Sequence, residues 1–193
     1  MACHNHNIGT FPIGACSQFV KLTPKRMTMS EQQNVETVRR LYQLTNDGDL
    51  PAVLNMLSDE VELFVFGSAK VPWAGHWRGR DGAEQFLRAM GTAAEVKDYL
   101  NIVVAAGDTV VAIHRPSVRI RETGRDASFN CVHVWTFRDG RVLQLREYAD
   151  TAEWESAFDA SGAGSKRPLL GFALFAEVVR AIRSAVLTGG ETR

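Results

Sequence analysis

An Asp-Gly dipeptide at positions 139 and 140 restricts how this chain can fold more than any other feature. It lies between two segments of alternating polar and apolar residues, 127–137 and 141–148. Asp-Gly favours the tight turn that joins two antiparallel strands, so the pattern predicts a β-hairpin. Because successive strand side chains point to opposite faces, the hairpin also determines which residues share a face.

Helical spacing and capping residues predict three helices before most of the strands. The predicted helices span 30–47, 50–57 and 81–90, and the predicted strands span 61–66, 95–105, 109–122, 127–137 and 141–148. Ser30 and Gln33 fit a capping box for the first helix. Helices followed by hairpin-connected strands indicate an α+β fold, in which the three N-terminal helices cover one face of a curved antiparallel sheet.

Three segments differ in composition. Residues 1–29 show no periodicity and are predicted to be a disordered leader, residues 30–160 form the folded domain, and residues 161–193 hold a flexible linker and a C-terminal amphipathic helix. That helix either packs on its own domain or a dimer mate, or docks on a membrane surface or a partner protein. The leader is either an organelle transit peptide or the product of an upstream start codon.

The charge distribution argues against nucleic acid as a partner. The formal net charge is zero, and the 14 basic and 20 acidic residues of 31–160 give the predicted domain a charge of −6. Phosphate binding needs a basic face. Cys3, Cys16 and Cys131 form no disulfide framework, and the chain lacks a secretory signal and an apolar run long enough to span a membrane, which predicts a reduced, cytoplasmic protein.

Strand alternation predicts a pocket with acid/base groups. The apolar face of 127–137 carries His133, that of 109–122 carries His114, and that of the last strand carries Glu147 with Leu143 and Leu145. If these faces point the same way, the three polar side chains converge. Burial raises the pKa of a carboxylate, and histidine titrates near neutrality, so such a group can move a proton.

These groups are the predicted catalytic residues: Glu147 is the base, His114 its partner, and His133 the donor to a developing oxyanion. The structural alternatives are that the histidines bond to backbone carbonyls and that Glu147 forms a surface ion pair with Arg146. The predicted ligand-binding residues are Tyr42, Phe64, Trp73, His76, Trp77, Cys131 and Trp135; the tryptophans could equally be core residues. A zinc site of His76, His114 and His133 has no short-spaced ligand pair to support it, so no metal is predicted.

The chain also resembles a known family. The segments NDGDL (46–50), LSDEVEL (57–63), GHWRGRDGAEQFL (75–87) and WTFRDGRVLQLREYADTAEW (135–154) resemble the SnoaL-like group of the nuclear transport factor 2-like, ketosteroid-isomerase-like superfamily. The resemblance covers about 31–160. It implies a cone-shaped sheet around the helices, an apolar cavity, a homodimer and no cofactor. It does not specify an activity, because this fold hosts several enzyme types and binding proteins.

The resemblance also implies roles for individual residues. Glu147 matches the last-strand carboxylate that serves as base in SnoaL cyclases and as part of the water-activating triad in limonene-type epoxide hydrolases. The other two triad positions fall on His114 and Pro116. In a ketosteroid isomerase the oxyanion-hole tyrosine would fall on Leu41, next to Tyr42. The oxyanion-hole acid would fall on His133 and the base near Val65, which cannot accept a proton.

The sequence thus predicts a cofactor-free isomerase, cyclase or hydrolase that acts on a small apolar, carbonyl-bearing molecule. The alternative is a non-catalytic binder of a small apolar ligand, or a dimeric adaptor of the same fold. Replacement of Glu147 by Gln distinguishes the two, because only an enzyme would lose its rate.

Overall fold

The computed structural model describes residues 27–158. Its elements are α1 (Met29–Asp47), α2 (Leu50–Asn55), β1 (Leu57–Val65), β2 (Gly75–Arg78), α3 (Gly79–Ala93), β3 (Ala94–Lys97), β4 (Leu100–Ala106), β5 (Thr109–His114), β6 (Ser117–Ile120), β7 (Asp126–Ser128), β8 (Cys131–Arg138), β9 (Arg141–Ala149) and α4 (Thr151–Phe158). The predicted linker and C-terminal helix, and the leader up to residue 26, lie outside the described residues.

The predicted α+β fold is confirmed: three helices precede most of a curved sheet. Six strands form a sheet in the order β2-β1-β9-β8-β5-β4, and three more form a second sheet in the order β3-β6-β7. All pairs are antiparallel except β1 with β9, which run parallel. The parallel pair brings the last strand of the sheet beside the first, so that β9 lies in the middle of the six-stranded sheet.

Each of the three long predicted strands is broken into two, and the breaks create the second sheet. They fall at 98–99, 115–116 and 129–130. Pro116 has no N–H to donate to a sheet ladder, which favours a break there. The alternation nevertheless continues across the break, because His114, Pro116 and Val118 are all buried. The bent strands thus keep one apolar face turned toward the helices.

The first helix begins slightly earlier than predicted. Its N-cap is Thr28 with Glu31 completing the capping box, rather than Ser30 with Gln33. Glu31 Oε2 accepts a hydrogen bond from the Thr28 N–H at 2.7 Å, and Thr28 Oγ1 accepts one from the Glu31 N–H at 3.2 Å. The ordered structure therefore includes residues assigned to the leader. Within 27–158, no helix has the length and apolarity needed to cross a membrane.

The core lies between the helices and the concave side of the bent sheet. Val38 and Leu41 of α1 are buried in this core, and so is Trp154 of α4. The Trp154 ring lies 4.9 Å from that of Trp73 and 4.2 Å from that of Phe129. The helix α4, which directly follows β9, thus closes one end of the interior.

The hairpin turn gives a stability prediction. Asp139 and Gly140 both have positive φ, 53° and 74°, as the predicted turn requires. Nothing lies within 4 Å of a Cβ built on Gly140, so Gly140→Ala should destabilise the fold only through backbone strain, by about 1 kcal/mol. Chemical denaturation measures it.

Gly91 is a matched control, because a Cβ there also meets nothing within 4 Å but the residue lies in α3 without a positive φ. Gly91→Ala should stabilise the protein by about 0.5–1 kcal/mol, since alanine favours helix. If both substitutions lowered the free energy of unfolding, or both raised it, the positive φ of Gly140 would not explain the effect at the turn.

Candidate active site

A largely apolar cavity lies between the helices and the sheet. Its volume is about 80 Å³, and α1, α3, β1, β5, β8, β9 and α4 all contribute to its wall. Apolar lining residues include Leu41, Leu63, Phe86, Met90, Phe129 and Trp154. Seven polar side chains of the described residues reach the same space: Tyr42, Thr45, Asp98, His114, His133, Trp135 and Glu147. A few polar groups on an apolar wall are typical of small-molecule sites.

Glu147 and His133 form one buried pair. They lie opposite each other on adjacent strands β9 and β8, and His133 Nε2 is 3.1 Å from Glu147 Oε2. The other ring nitrogen of His133, Nδ1, is 2.5 Å from the Tyr42 hydroxyl oxygen, which comes from α1. The three side chains thus form a continuous hydrogen-bonded chain across the cavity.

His114 and Asp98 form the second pair. His114 Nδ1 is 3.0 Å from Asp98 Oδ1, and the histidine is 1% exposed. Asn46, at the end of α1, holds Asp98 in place: its side-chain amide donates to the Asp98 carbonyl at 2.8 Å, and its oxygen accepts from the Asp98 N–H at 2.9 Å. These two hydrogen bonds hold the Asp98 backbone and so position its carboxylate next to the His114 imidazole.

The two pairs lie next to each other, but not in the predicted pairing. The ring centroids of His114 and His133 are 4.3 Å apart. The predicted dyad of His114 with Glu147 is wrong, because β8 lies between β5 and β9 and carries His133 directly opposite Glu147. His114 lies one strand further away and turns its Nδ1 toward Asp98 instead.

Three buried polar atoms in the cavity have no hydrogen-bond partner among residues 27–158. They are His114 Nε2, Trp135 Nε1 and Glu147 Oε1. An unpaired buried polar atom costs free energy, so such atoms are uncommon unless water or a ligand satisfies them. A neutral His114 that donates its Nδ1–H to the Asp98 carboxylate would have a lone pair on Nε2, which faces the cavity.

Burial sets the protonation of the first pair. It raises the pKa of Glu147 to about 7, with the charge of Asp98 adding to the effect and His114 opposing it. Burial also lowers the pKa of His133 well below its usual range, and His114 lowers it further. Tyr42 has a raised pKa, mainly because it is buried. Near neutrality His133 and Tyr42 are therefore uncharged, and Glu147 is poised between its two forms.

Among the remaining predicted site residues, four line the cavity and three do not. Tyr42, Trp73, Cys131 and Trp135 are in its wall. Phe64 and His76 pair across β1 and β2 and stack at 4.1 Å on the outer face of the sheet, where His76 contacts Glu62. Trp77 is half-buried and donates to the Trp73 carbonyl at 3.0 Å. Phe64, His76 and Trp77 all lie outside the cavity wall, so the prediction that they contact a cavity ligand is wrong.

Phe64 faces outward because Leu63 and Val65, its neighbours in β1, face the core. Arg146 lies on the same outer face, with its guanidinium 4.8 Å from the centre of the Phe64 ring. The alternative of a surface ion pair between Arg146 and Glu147 does not hold, since Glu147 is 7% exposed and points the other way.

Sequence reasoning missed Asp98. Alternation along the predicted strand 95–105 could have found it, because Val96 and Asp98 are two residues apart and both line the cavity. The break after β3 does not disturb that alternation.

Among residues 27–158, the side chains that lie close enough together to hold a metal are not the His76, His114 and His133 set that the sequence suggests for comparison. His76 lies on the outer face, but His114, Cys131 and His133 offer ligand atoms within 4.8 Å of one another. Both nitrogens of His133 already have protein partners. Burial and the charge of Glu147 raise the pKa of the Cys131 thiol, which opposes the thiolate that a metal needs. The arrangement favours a hydrogen-bonded network.

One family model matches the chain, and several solved structures share its fold. The sequence model of the SnoaL-like domain matches residues 38–145. An NTF2-like protein from Burkholderia xenovorans is 26% identical, with a TM-score of 0.63, over 68% of this chain and 100% of that one. A protein from a soil-derived mobile gene cassette is 27% identical, with a TM-score of 0.62, over 67% and 99% of the two chains.

A putative polyketide cyclase from Xanthomonas campestris is 20% identical, with a TM-score of 0.60, over 67% of this chain and 99% of that one. At this identity the similarity shows the fold alone. No curated protein matches the chain.

The raised pKa of Glu147 predicts a pH-dependent gain in stability for Glu147→Gln. The usual pKa is 4.5 and the folded value about 7. The protonated Glu147 contributes its full stability to the folded state below pH 4.5, and this contribution is lost as the pH rises through about 7. The uncharged variant escapes that loss, so its stability relative to the parent should improve by up to about 3 kcal/mol between pH 4 and pH 8.

Urea denaturation at the two pH values measures this difference. Glu36→Gln, which alters an exposed glutamate of α1, is the control and should show little change. A Glu147→Gln variant whose relative stability stays constant with pH would show that the buried carboxyl is not destabilised by ionisation.

Proposed function

This chain belongs to the SnoaL-like domain family, and we propose that it is a cofactor-free enzyme of the isomerase or cyclase type. It removes a proton next to the carbonyl group of a small, largely apolar molecule held in the cavity. The observation that carries this proposal is the pair of adjacent histidine–carboxylate couples in an apolar cavity, each with an unpaired atom left for a ligand.

His114 is the proposed base. Asp98 accepts the Nδ1–H, which leaves the Nε2 lone pair available to take a proton from carbon. The electron pair of the broken C–H bond moves into the carbonyl group and forms an oxyanion. Return of the proton to a different carbon gives an isomer, and attack of the enolate carbon on a second carbonyl gives a ring.

Glu147 is the proposed acid. In its protonated form it keeps the Tyr42–His133–Glu147 chain neutral and supplies the proton with which that side of the cavity stabilises the oxyanion. This division revises the predicted roles, in which Glu147 was the base. An apolar wall strengthens such hydrogen bonds because it has a low dielectric constant.

The cavity volume favours a small substrate. At about 80 Å³ it has room for several water molecules or a small ring. Hydrolysis of the epoxide-hydrolase type has less support, because the position of one of its carboxylates holds Pro116, which lines the cavity but cannot activate water.

Proton exchange tests this proposal before the product is known. The purified protein is incubated in D2O with a panel of small enolisable ketones and 1,3-diketones, and loss of the α-proton signal is followed by NMR. We expect catalysed exchange for at least one member, and a loss of about 100-fold or more in His114→Gln. His76→Gln, which changes a histidine outside the cavity, should keep the parent rate. A ligand that binds in the cavity without exchange in any panel member would support the binding-protein alternative.

The pH dependence of exchange distinguishes an acid from a base at position 147. If protonated Glu147 is needed, the rate should fall as pH rises through about 7, and Glu147→Gln should remove that decrease. A rate that instead rises through this range in the parent, and loses that rise in Glu147→Gln, would identify Glu147 as the base and overturn the assignment to His114.

A further inference from the structure

His133 occupies an unusual position, since both of its ring nitrogens are hydrogen-bonded to groups that can lose or gain a proton. Nδ1 faces the Tyr42 hydroxyl at 2.5 Å and Nε2 faces Glu147 Oε2 at 3.1 Å. A neutral imidazole carries one N–H, on one nitrogen or the other. The direction of both hydrogen bonds therefore depends on a single proton.

With Glu147 ionised, its oxygen can only accept. His133 then carries its proton on Nε2 and donates it to Glu147, and Nδ1 accepts the proton of the Tyr42 hydroxyl. That hydroxyl hydrogen points at the histidine and is not available to a ligand.

With Glu147 protonated on Oε2, the carboxyl donates to Nε2. The histidine proton then lies on Nδ1 and is donated to the Tyr42 oxygen. The hydroxyl hydrogen of Tyr42 is released and can point into the cavity. In both states every group of the chain keeps a partner, so the two directions differ by one proton and no change of packing.

We propose that His133 is a positioning residue that relays the protonation state of Glu147 to Tyr42, so that Tyr42 donates a hydrogen bond to a ligand oxygen only when Glu147 is protonated. The proposal rests on the proposed function for its catalytic meaning, since the ligand oxygen would be the developing oxyanion. It also assigns the contact with substrate to Tyr42 rather than to His133.

The surroundings keep His133 neutral, as the relay requires. The titratable groups that face it are Tyr42 from α1, Asp98 from the segment between β3 and β4, His114 from β5, Cys131 from β8 and Glu147 from β9. The facing sides of α3 and α4 are apolar, with Phe86 and Trp154. Burial and the neighbouring His114 lower the pKa of His133, so within this pair it is Glu147 rather than His133 that takes up a proton near pH 7.

One competing arrangement uses the same atoms. Glu147 Oε1 has no partner, so the added proton could lie there and reach a ligand directly. His133 would then keep its proton on Nε2 at every pH, and Tyr42 would remain bonded to it. The tautomer of His133 therefore decides between the two arrangements.

Long-range ¹H–¹⁵N NMR of the ¹⁵N-histidine-labelled protein reads this tautomer directly, without any ligand. The signals of His133 are assigned by their loss in His133→Gln, and spectra are recorded between pH 5 and pH 9. We expect the proton on Nδ1 at the acidic end and on Nε2 at the alkaline end, with a midpoint near 7. A proton that stays on Nε2 throughout, or an imidazolium at the acidic end, would overturn the relay.

Two variants test the two ends of the hydrogen-bonded Tyr42–His133–Glu147 chain. In Glu147→Gln the tautomer should no longer change with pH, and a persistent change would mean that another group drives it. In Tyr42→Phe, Nδ1 loses a donor in the alkaline state and an acceptor in the acidic state. A buried N–H without an acceptor is the less tolerated of the two, so conversion to the Nδ1 tautomer should move to lower pH; an unchanged midpoint would contradict the link to Tyr42.

Failure of the relay and failure of the proposed function give different results. A constant tautomer together with catalysed proton exchange would leave the enzyme intact and make Glu147 the direct donor. A pH-dependent tautomer without exchange for any ketone would leave the relay intact in a protein that only binds its ligand.

Discussion

The hydrogen bond between His133 and Glu147 is the interaction on which the rest of the site depends. It places a carboxyl group and an imidazole in an apolar interior, where neither would persist alone. The pair is tolerated because each satisfies one atom of the other and Tyr42 satisfies the second nitrogen. The burial that makes the pair costly also brings the pKa of Glu147 to about 7, the range in which proton transfer is most useful.

The bent sheet supplies the second constraint. The breaks in the strands allow β3, β6 and β7 to form their own sheet, and the break after β3 places Asp98 beside His114. Asn46 then joins the end of α1 to this corner by two hydrogen bonds with the Asp98 backbone. The position of the His114 imidazole thus depends on three separate parts of the chain, α1, the segment between β3 and β4, and β5.

Much of this arrangement could be predicted from the sequence, and the failures have physical reasons. Period-two alternation is a local property, so it correctly placed His114, His133 and Glu147 on the concave side. It could not give their pairing, because strand order is a long-range property and β8 separates His114 from Glu147. Phe64 lies on the outer face because Leu63 and Val65, its neighbours in β1, face the core. His76 lies in β2, which is not among the predicted strands, so alternation could not assign its face.

The most direct test of the account is the rate of proton exchange in Asp98→Asn. The amide has nearly the shape of the carboxylate, but it can donate to Nδ1 and so leave the His114 proton on Nε2, which removes the lone pair. The account predicts a folded protein in which the ligand still binds and the exchange rate falls by about 100-fold or more. An Asp98→Asn variant that exchanges protons as fast as the parent would contradict the assignment of His114 as the base.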